Sequence, residues 1–324
     1  MTTSLLSPRK SPAPGPSGGP GGPRFRRRRA RPERPPWMER PSWYGQGAKA
    51  IVLVLIVVAV GYPFLLALGT SLAGQEELDA NGGYVLIPEH PTFEAYNVLL
   101  QGGVVTRAAM VSVVVTGVGT VLSVLCTIAL AYGLSRPGMV GGKPILLLVL
   151  GTFLFTPGII PTYLVVQEFG MLDSYASLVL PVLLNVFNVI VVRAFFQGIP
   201  TELYEAARLD GAGELTILCR VVLPLSKAVI AVVGLFYGVS YWNSFFNALL
   251  FLNDSGKYPL QVVLRSYVVQ GESINAKAMG VSQLPPSISL QMAVLILALI
   301  PILCVYPFLQ KYFAKGVLTG AIKG

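Results

Sequence analysis

The chain is poor in charge, histidine and cysteine. Lys, Arg, Asp and Glu make up 12% of its 324 residues, roughly half the share of an ordinary globular domain, so most of it cannot present a water-facing surface. His90 is the only histidine and lies between apolar runs, which leaves histidine-based catalysis and zinc binding without support. Cys126, Cys219 and Cys304 are scattered with no metal-ligand spacing, and reduced, packed thiols are the expectation. No phosphate-cradling loop is present either. Gly142-Lys143 is followed by Pro144 and Gly256-Lys257 by Tyr258, so neither supplies the hydroxyl that would hold magnesium. No enzyme is expected, and no cofactor or metal is expected on this chain.

The charge that exists is unevenly placed. Residues 1–49 carry eleven Lys/Arg against Glu33 and Glu39, whereas residues 50–324 carry thirteen of each sign. The net charge of +9 therefore belongs to the tail and does not describe a nucleic-acid-binding core. The tail, 1–46, is rich in Pro, Gly and Ser and then in Arg (Arg24, Arg26–Arg29, Arg31, Arg34). It has too little apolar surface to offset the entropy of ordering and reads as disordered, anchoring the topology on anionic headgroups. Nucleic-acid binding by Arg26–Arg29 is the competing reading. A cleavable signal peptide does not fit, because the charged region is too long and no Ala-x-Ala site follows the apolar run.

What the chain has in abundance is apolar sequence, 53% of its residues. Six runs are free of charge over about the 20 residues that a helix needs to cross the hydrocarbon: 50–72, 108–134, 145–166, 178–196, 228–252 and 289–308. Arg107 and Arg193 sit near run ends, where their stems reach the interface. Pro157, Pro161, Pro181 and Pro301 lie inside runs, tolerable where neighbouring helices re-satisfy the freed carbonyls. The expected fold is all-α and polytopic, with six transmembrane helices. Residues 47–72 form the first span, 73–106 an outer loop, 107–309 a five-helix core and 310–324 a tail.

Lys/Arg bias orients these spans. The tail, the 136–143 gap, the 208–227 segment and the end of the chain are basic, whereas 73–106 has acidic residues only. The 253–288 gap is mixed and is either a structural cap or a dock for an extracytoplasmic protein. Both termini and the polar island 197–227 are thus expected in the cytoplasm.

That island, QGIPTELYEAARLDGAGELTILCRVVLPLSK, reads as helix–turn–helix. Thr201 is the expected N-cap, Glu202 lies where the helix dipole favours an anion, and Gly211 falls at a left-handed C-cap. The first helix is expected over 202–210, and a second over 214–223 that stops at Pro224. Such a short unit needs a docking surface, and Ala206, Ala207 and Ala212 permit close approach.

Glu205-Ala206-Ala207, three residues, Gly211, nine residues, then Val221-Val222-Leu223-Pro224 resembles the Glu-Ala-Ala loop of bacterial ABC-importer permeases. Val221 in place of Ile is the one departure. The flanking RAFFQGIPTELYEAARLDGAG is similar to the carbohydrate-uptake branch, and so are the fifth-run text and the ending PFLQKYFAKGVLTGAIKG. The resemblance implies a type I importer transmembrane fold and a sugar-permease subunit, oligosaccharide or complex-glycan type. Its implied partners are a second permease, two ATPase subunits that bind ATP and Mg, and an extracytoplasmic solute-binding protein, all on a lipid bilayer. Glu205, Ala206, Ala207, Gly211, Leu223 and Pro224 would couple it to an ATPase.

Polar and aromatic residues within the runs are pathway candidates: Asn185 and Asn188 in the fourth, Tyr237, Tyr241, Trp242, Asn243 and Asn247 in the fifth. Asn185 and Asn188 lie one turn apart, and Tyr237/Tyr241 and Asn243/Asn247 are i,i+4 pairs, each sharing a face. Aromatic plates with amides suit a sugar ring. Interhelical hydrogen bonding and an interfacial aromatic belt account for the same residues equally well. Import of a non-sugar solute is the nearest rival function. A secondary transporter would need intramembrane acids or histidines, which the runs lack.

Overall fold

The computed structural model describes residues 43–101, 103–268 and 287–320, with side chains beyond 307 left aside. The basic tail up to 42, half of the last outer gap and the final four residues lie outside the described residues, and with them the readings made of those stretches. Two compact units are defined, Met1–Ile56 and Val57–Gly324. The described part of the first is the opening of α1 (Trp43–Ser71), whose side chains are exposed.

Among the described residues every regular element is helical. Three helices are long and apolar enough to span: α1, α4 (Val104–Ser135) and α15 (Ser287–Gly320). Short helices α2 (Gln75–Ala80) and α3 (Glu94–Gln101) separate the first two. The third and fourth runs are broken near the helix-breakers the sequence carries, and the fifth is interrupted at 243–245 without one. The third divides into α5 (Gly142–Leu154) and α6 (Ile159–Glu168) around Pro157 and Gly158, the glycine at φ +82°. Proline removes a donor and displaces the preceding turn, and glycine takes the left-handed conformation that follows. The fourth comprises α7 (Ala176–Val179), a 3-10 turn Leu180–Val182 containing Pro181, and α8 (Val186–Gln197), bent by 52°. Among the described residues three helices are long and apolar enough to cross without a break, or up to five if each bent pair counts as one.

The core is the seam of α4, α8 and α12 (Lys227–Trp242). Small residues set its closeness. The position a Cβ would take at Gly119 is 2.8 Å from the Tyr241 ring, so only glycine admits that ring against α4. A second apolar cluster joins α3, the start of α4, α14 (Leu260–Val268) and α15. Trp242 ties the two, donating Nε1–H to the Ala298 carbonyl at 3.2 Å.

Candidate functional site

The island between α8 and α12 opens with α9 (Thr201–Leu209). Thr201 is its first helical residue and not its cap: extended Pro200 (φ −53°, ψ 134°) takes the cap position, where a missing N–H costs nothing. The helix begins and ends one residue before the expected 202–210. Its C-terminus matches expectation. Gly211 is left-handed at φ +78°, and Ala212 N–H donates to the Ala207 carbonyl at 2.9 Å, closing the turn.

The second segment departs further. It runs as α10 (Glu214–Ile217), a π-helical turn Leu218–Val222 and α11 (Leu223–Leu225), so helix continues past Pro224. The π turn releases the hydrogen bond that Pro224 cannot make, and the proline enters at the first turn of α11. This segment meets α12 at 85°.

On α9 the buried face is narrow. Tyr204 is buried and Ala207 half-buried, while Glu202, Leu203, Glu205, Ala206, Arg208 and Leu209 are exposed. Glu205 and Ala206 therefore point away from the chain's own core, and Pro224 is exposed with Leu223 half-buried. Two leucines not singled out in the sequence join that outer surface: Leu209 is 89% and Leu215 78% exposed. Once Tyr204 and Ala207 define the inward face, the i,i+5 offset from Tyr204 leaves Leu209 outside, which was the available signal.

A charged knot fastens this loop to the end of α4. The Arg136 guanidinium lies between two rings, 3.7 Å from the centre of Tyr204 and 4.4 Å from that of Tyr132. Its Nη2 donates to the Tyr132 hydroxyl at 2.7 Å, and that hydroxyl donates to Glu214 Oε2 at 2.6 Å. Arg136 Nε stands 3.6 Å from the same carboxylate, too far for a hydrogen bond. Arg208 Nη2 donates to Glu214 Oε1 at 2.7 Å across the Gly211 turn. The Glu214 carboxyl is held below its ordinary range, by the Tyr132 hydrogen bond first and the Arg208 one second. Burial pushes the Tyr204 phenol up, and its hydroxyl donates to the Phe196 carbonyl at the end of α8. Arg193 adds a bond from Nε to the Leu134 carbonyl at 2.9 Å. The loop, α4 and α8 are thereby one mechanical joint.

The pathway candidates separate into two groups. Tyr237 and Tyr241 share a face as expected, but that face is the α4 seam. Both are buried, Tyr237 Oη pairing with Thr127 Oγ1 and Tyr241 Oη with Ser123 Oγ, each at 2.8 Å. Tyr237 Oη also accepts from Asn185 N–H at 2.9 Å, within the bend of the fourth run. Trp242 is buried. Asn185 precedes α8 and is not on it. Its side-chain oxygen caps the helix by accepting from Asn188 N–H, and Asn188 is buried. Asn243 ends α12 and Asn247 lies on α13 (Phe246–Phe251), so the break between them prevents one helical face from carrying both. Asn243 is exposed and Asn247 half-exposed.

At the opposite end of the spans a second fixed point occurs. Asp173 is the one non-glycine with positive φ (+55°) among the described residues. Its Oδ1 accepts from the N–H groups of Asn253 and Asp254, and its Oδ2 accepts from Lys257 Nζ at 2.6 Å. The Lys257 bond first, and the Asp254 amide second, hold its carboxyl at about 2.

Residues 123–319 match the family model described as "Binding-protein-dependent transport system inner membrane component". The polygalacturonan/rhamnogalacturonan transport system permease protein YtcP of Bacillus subtilis (strain 168) is 43% identical over 274 residues, 84% of this chain and 96% of that protein. The melibiose/raffinose/stachyose import permease protein MelC of the same organism is 27% identical, over 85% of this chain and 97% of its own length. Among solved structures, a bacterial ABC transporter involved in the import of the acidic polysaccharide alginate contains a chain with TM-score 0.79. That chain is 29% identical, covered in full, and matches 86% of this one.

Proposed function

The chain belongs to the family of binding-protein-dependent transport system inner membrane components, and on that premise we propose that it is the oligosaccharide-conducting permease subunit of an ATP-driven importer, coupled to a separate ATPase through residues 197–227. The observation that carries the coupling is the division of α9 into two faces. Tyr204 turns inward onto the Arg136 knot and Ala207 onto the core, while Glu205, Ala206 and Leu209 stay exposed among the described residues. An exposed leucine beside an acid and an alanine is a surface for a cleft carrying a basic group. Gly211 permits the turn that presents it, and Leu223 and Pro224 close the segment.

We assign this loop, with both termini, to the cytoplasm, on the Lys/Arg distribution. A second permease, two ATPase subunits binding ATP and Mg, and an extracytoplasmic binding protein complete the assembly. Nucleotide-driven movement of the loop shifts the balance of inward- and outward-open states because the joint passes it into α4 and α8.

For the cargo we propose oligosaccharides bearing uronate groups, the chemistry common to the polymers named for YtcP and for the alginate importer. Asn243 and Asn247, whose positions leave them solvent-accessible, are the pathway residues we favour. The buried hydroxyls of Tyr237 and Tyr241 serve the α4–α12 seam, with Trp242, Asn185 and Asn188 supporting it. Reconstitution with the partner subunits tests the reading. Oligogalacturonate with its binding protein should raise ATP hydrolysis and be taken up. Equal stimulation by neutral oligosaccharides removes the uronate assignment, and no stimulation by any oligosaccharide removes the function.

A further inference from the structure

A cavity of about 690 Å³ opens where α4 ends, α5 begins and α8 turns into the loop. Arg136, Lys143 and Arg193 line it together with Gln197, and no acidic residue does. Three observations make it short of negative charge. Lys143 stands in the first turn of α5, where the helix dipole disfavours a cation, and that turn has neither an acid nor a side-chain cap. Arg136 Nε is buried without a hydrogen-bond acceptor, the carboxylate of Glu214 standing 3.6 Å off on the loop side and outside the cavity lining. Lys143 and Arg193 form no ion pair among the described residues. The remaining walls are apolar, Met139 and Leu146 among them, and the α5 surface beyond is exposed apolar sequence, with Leu147 and Leu148 outward.

Cations at the rim with hydrocarbon alongside match the two ends of one molecule. We propose that this cavity binds the phosphate headgroup of an anionic phospholipid, with its acyl chains lying along α5. The site rests on the orientation proposed above, which places the cavity at the cytoplasmic headgroup level, where anionic lipid and basic pockets between helices meet. Arg136 belongs both to the cavity and to the knot on Tyr204, so a headgroup bound here lies directly beside the coupling loop.

The test uses the full complex with its second permease and ATPase subunits, in nanodiscs of mixed phosphatidylglycerol and phosphatidylcholine, read by native mass spectrometry. The expected result is one phosphatidylglycerol retained in preference to phosphatidylcholine. Lys143→Gln with Arg193→Gln should weaken that retention roughly thirtyfold, about a factor of five per cation. Lys143→Gln alone, at an exposed position that carries no packing, should give the single factor and guards against misfolding of the double variant. Equal retention by wild type and Lys143→Gln overturns the site. Displacement of the lipid by millimolar inorganic phosphate overturns the lipid as occupant in favour of a soluble anion. Orientation is read separately, through labelling of exposed Cys219 by a membrane-impermeant maleimide. A wrong orientation and an empty cavity therefore give different signatures.

Discussion

The Arg136 guanidinium stacks 3.7 Å from the centre of the Tyr204 ring, joining the end of the longest core helix to the middle of the exposed loop helix. Sixty-eight positions separate the two residues in the chain. Tyr204 is the one buried side chain of α9, so under the proposed coupling this stacking is a direct route for a push on the loop to reach the spans.

Arg136→Ala removes that route. A cation–π contact of this kind contributes about 0.5–2 kcal/mol and the charge-assisted bond to Tyr132 about 1.5–3 kcal/mol. Basal ATP hydrolysis by the complex should persist, while substrate-stimulated hydrolysis and uptake fall severalfold or more. Arg136→Lys should recover only part, since an ammonium cannot stack between two rings. Unchanged transport per ATP in the alanine variant would place the joint elsewhere.

Gly211→Val should act on the same output through the backbone. At φ +78° a β-branched residue costs about 1–3 kcal/mol. The Glu205 face then rotates away from its partner while the spans stay inserted. Membrane levels of the complex, assayed beside uptake, should remain near normal as uptake is lost.

Gly119→Val tests the seam. Its Cβ would fall 2.8 Å from the Tyr241 ring, and forcing that ring outward breaks the bond to Ser123. Overpacking of this sort costs about 1–3 kcal/mol. The purified complex should melt at lower temperature, and Gly119→Ala should lower it less.

Strong acid should loosen the Asp173 fixed point. The Asp173 carboxyl sits at about 2 against an ordinary 3.8, because Lys257 and the Asp254 amide favour its ionised form. A depressed carboxyl lends stability that is complete above about pH 4 and disappears as pH falls through about 2. Amide exchange at Asn253 and Asp254 should stay slow above that window and quicken within it. In Asp173→Asn exchange should already be fast at neutral pH.

Much of this architecture was legible in residue order. Charge-free length located the runs; Pro157 and Pro181, expected to be tolerated inside them, instead accompany two of the breaks, since a missing donor acts locally. The Glu205-to-Pro224 spacing located the loop, and Gly211 its turn. The seam was not legible. A face of Tyr237 and Tyr241 looks alike whether it meets a sugar or another helix, and the deciding partners, Ser123 and Thr127, lie more than a hundred residues earlier. The Arg136 knot was hidden for the same reason, because Tyr132, Arg136, Tyr204, Arg208 and Glu214 meet only after folding. The π turn that carries helix past Pro224 was invisible because proline reads as a stop wherever an α-helix is assumed.

One cross-linking measurement bears on the whole account. With Cys126, Cys219 and Cys304 replaced by serine or alanine, Ala206→Cys in the assembled complex should form an adduct with the ATPase subunit when a short homobifunctional maleimide is added, and nucleotide should change its yield. A cysteine there that is modified only from the outer side of the membrane, or that reaches no nucleotide-hydrolysing subunit, contradicts the account.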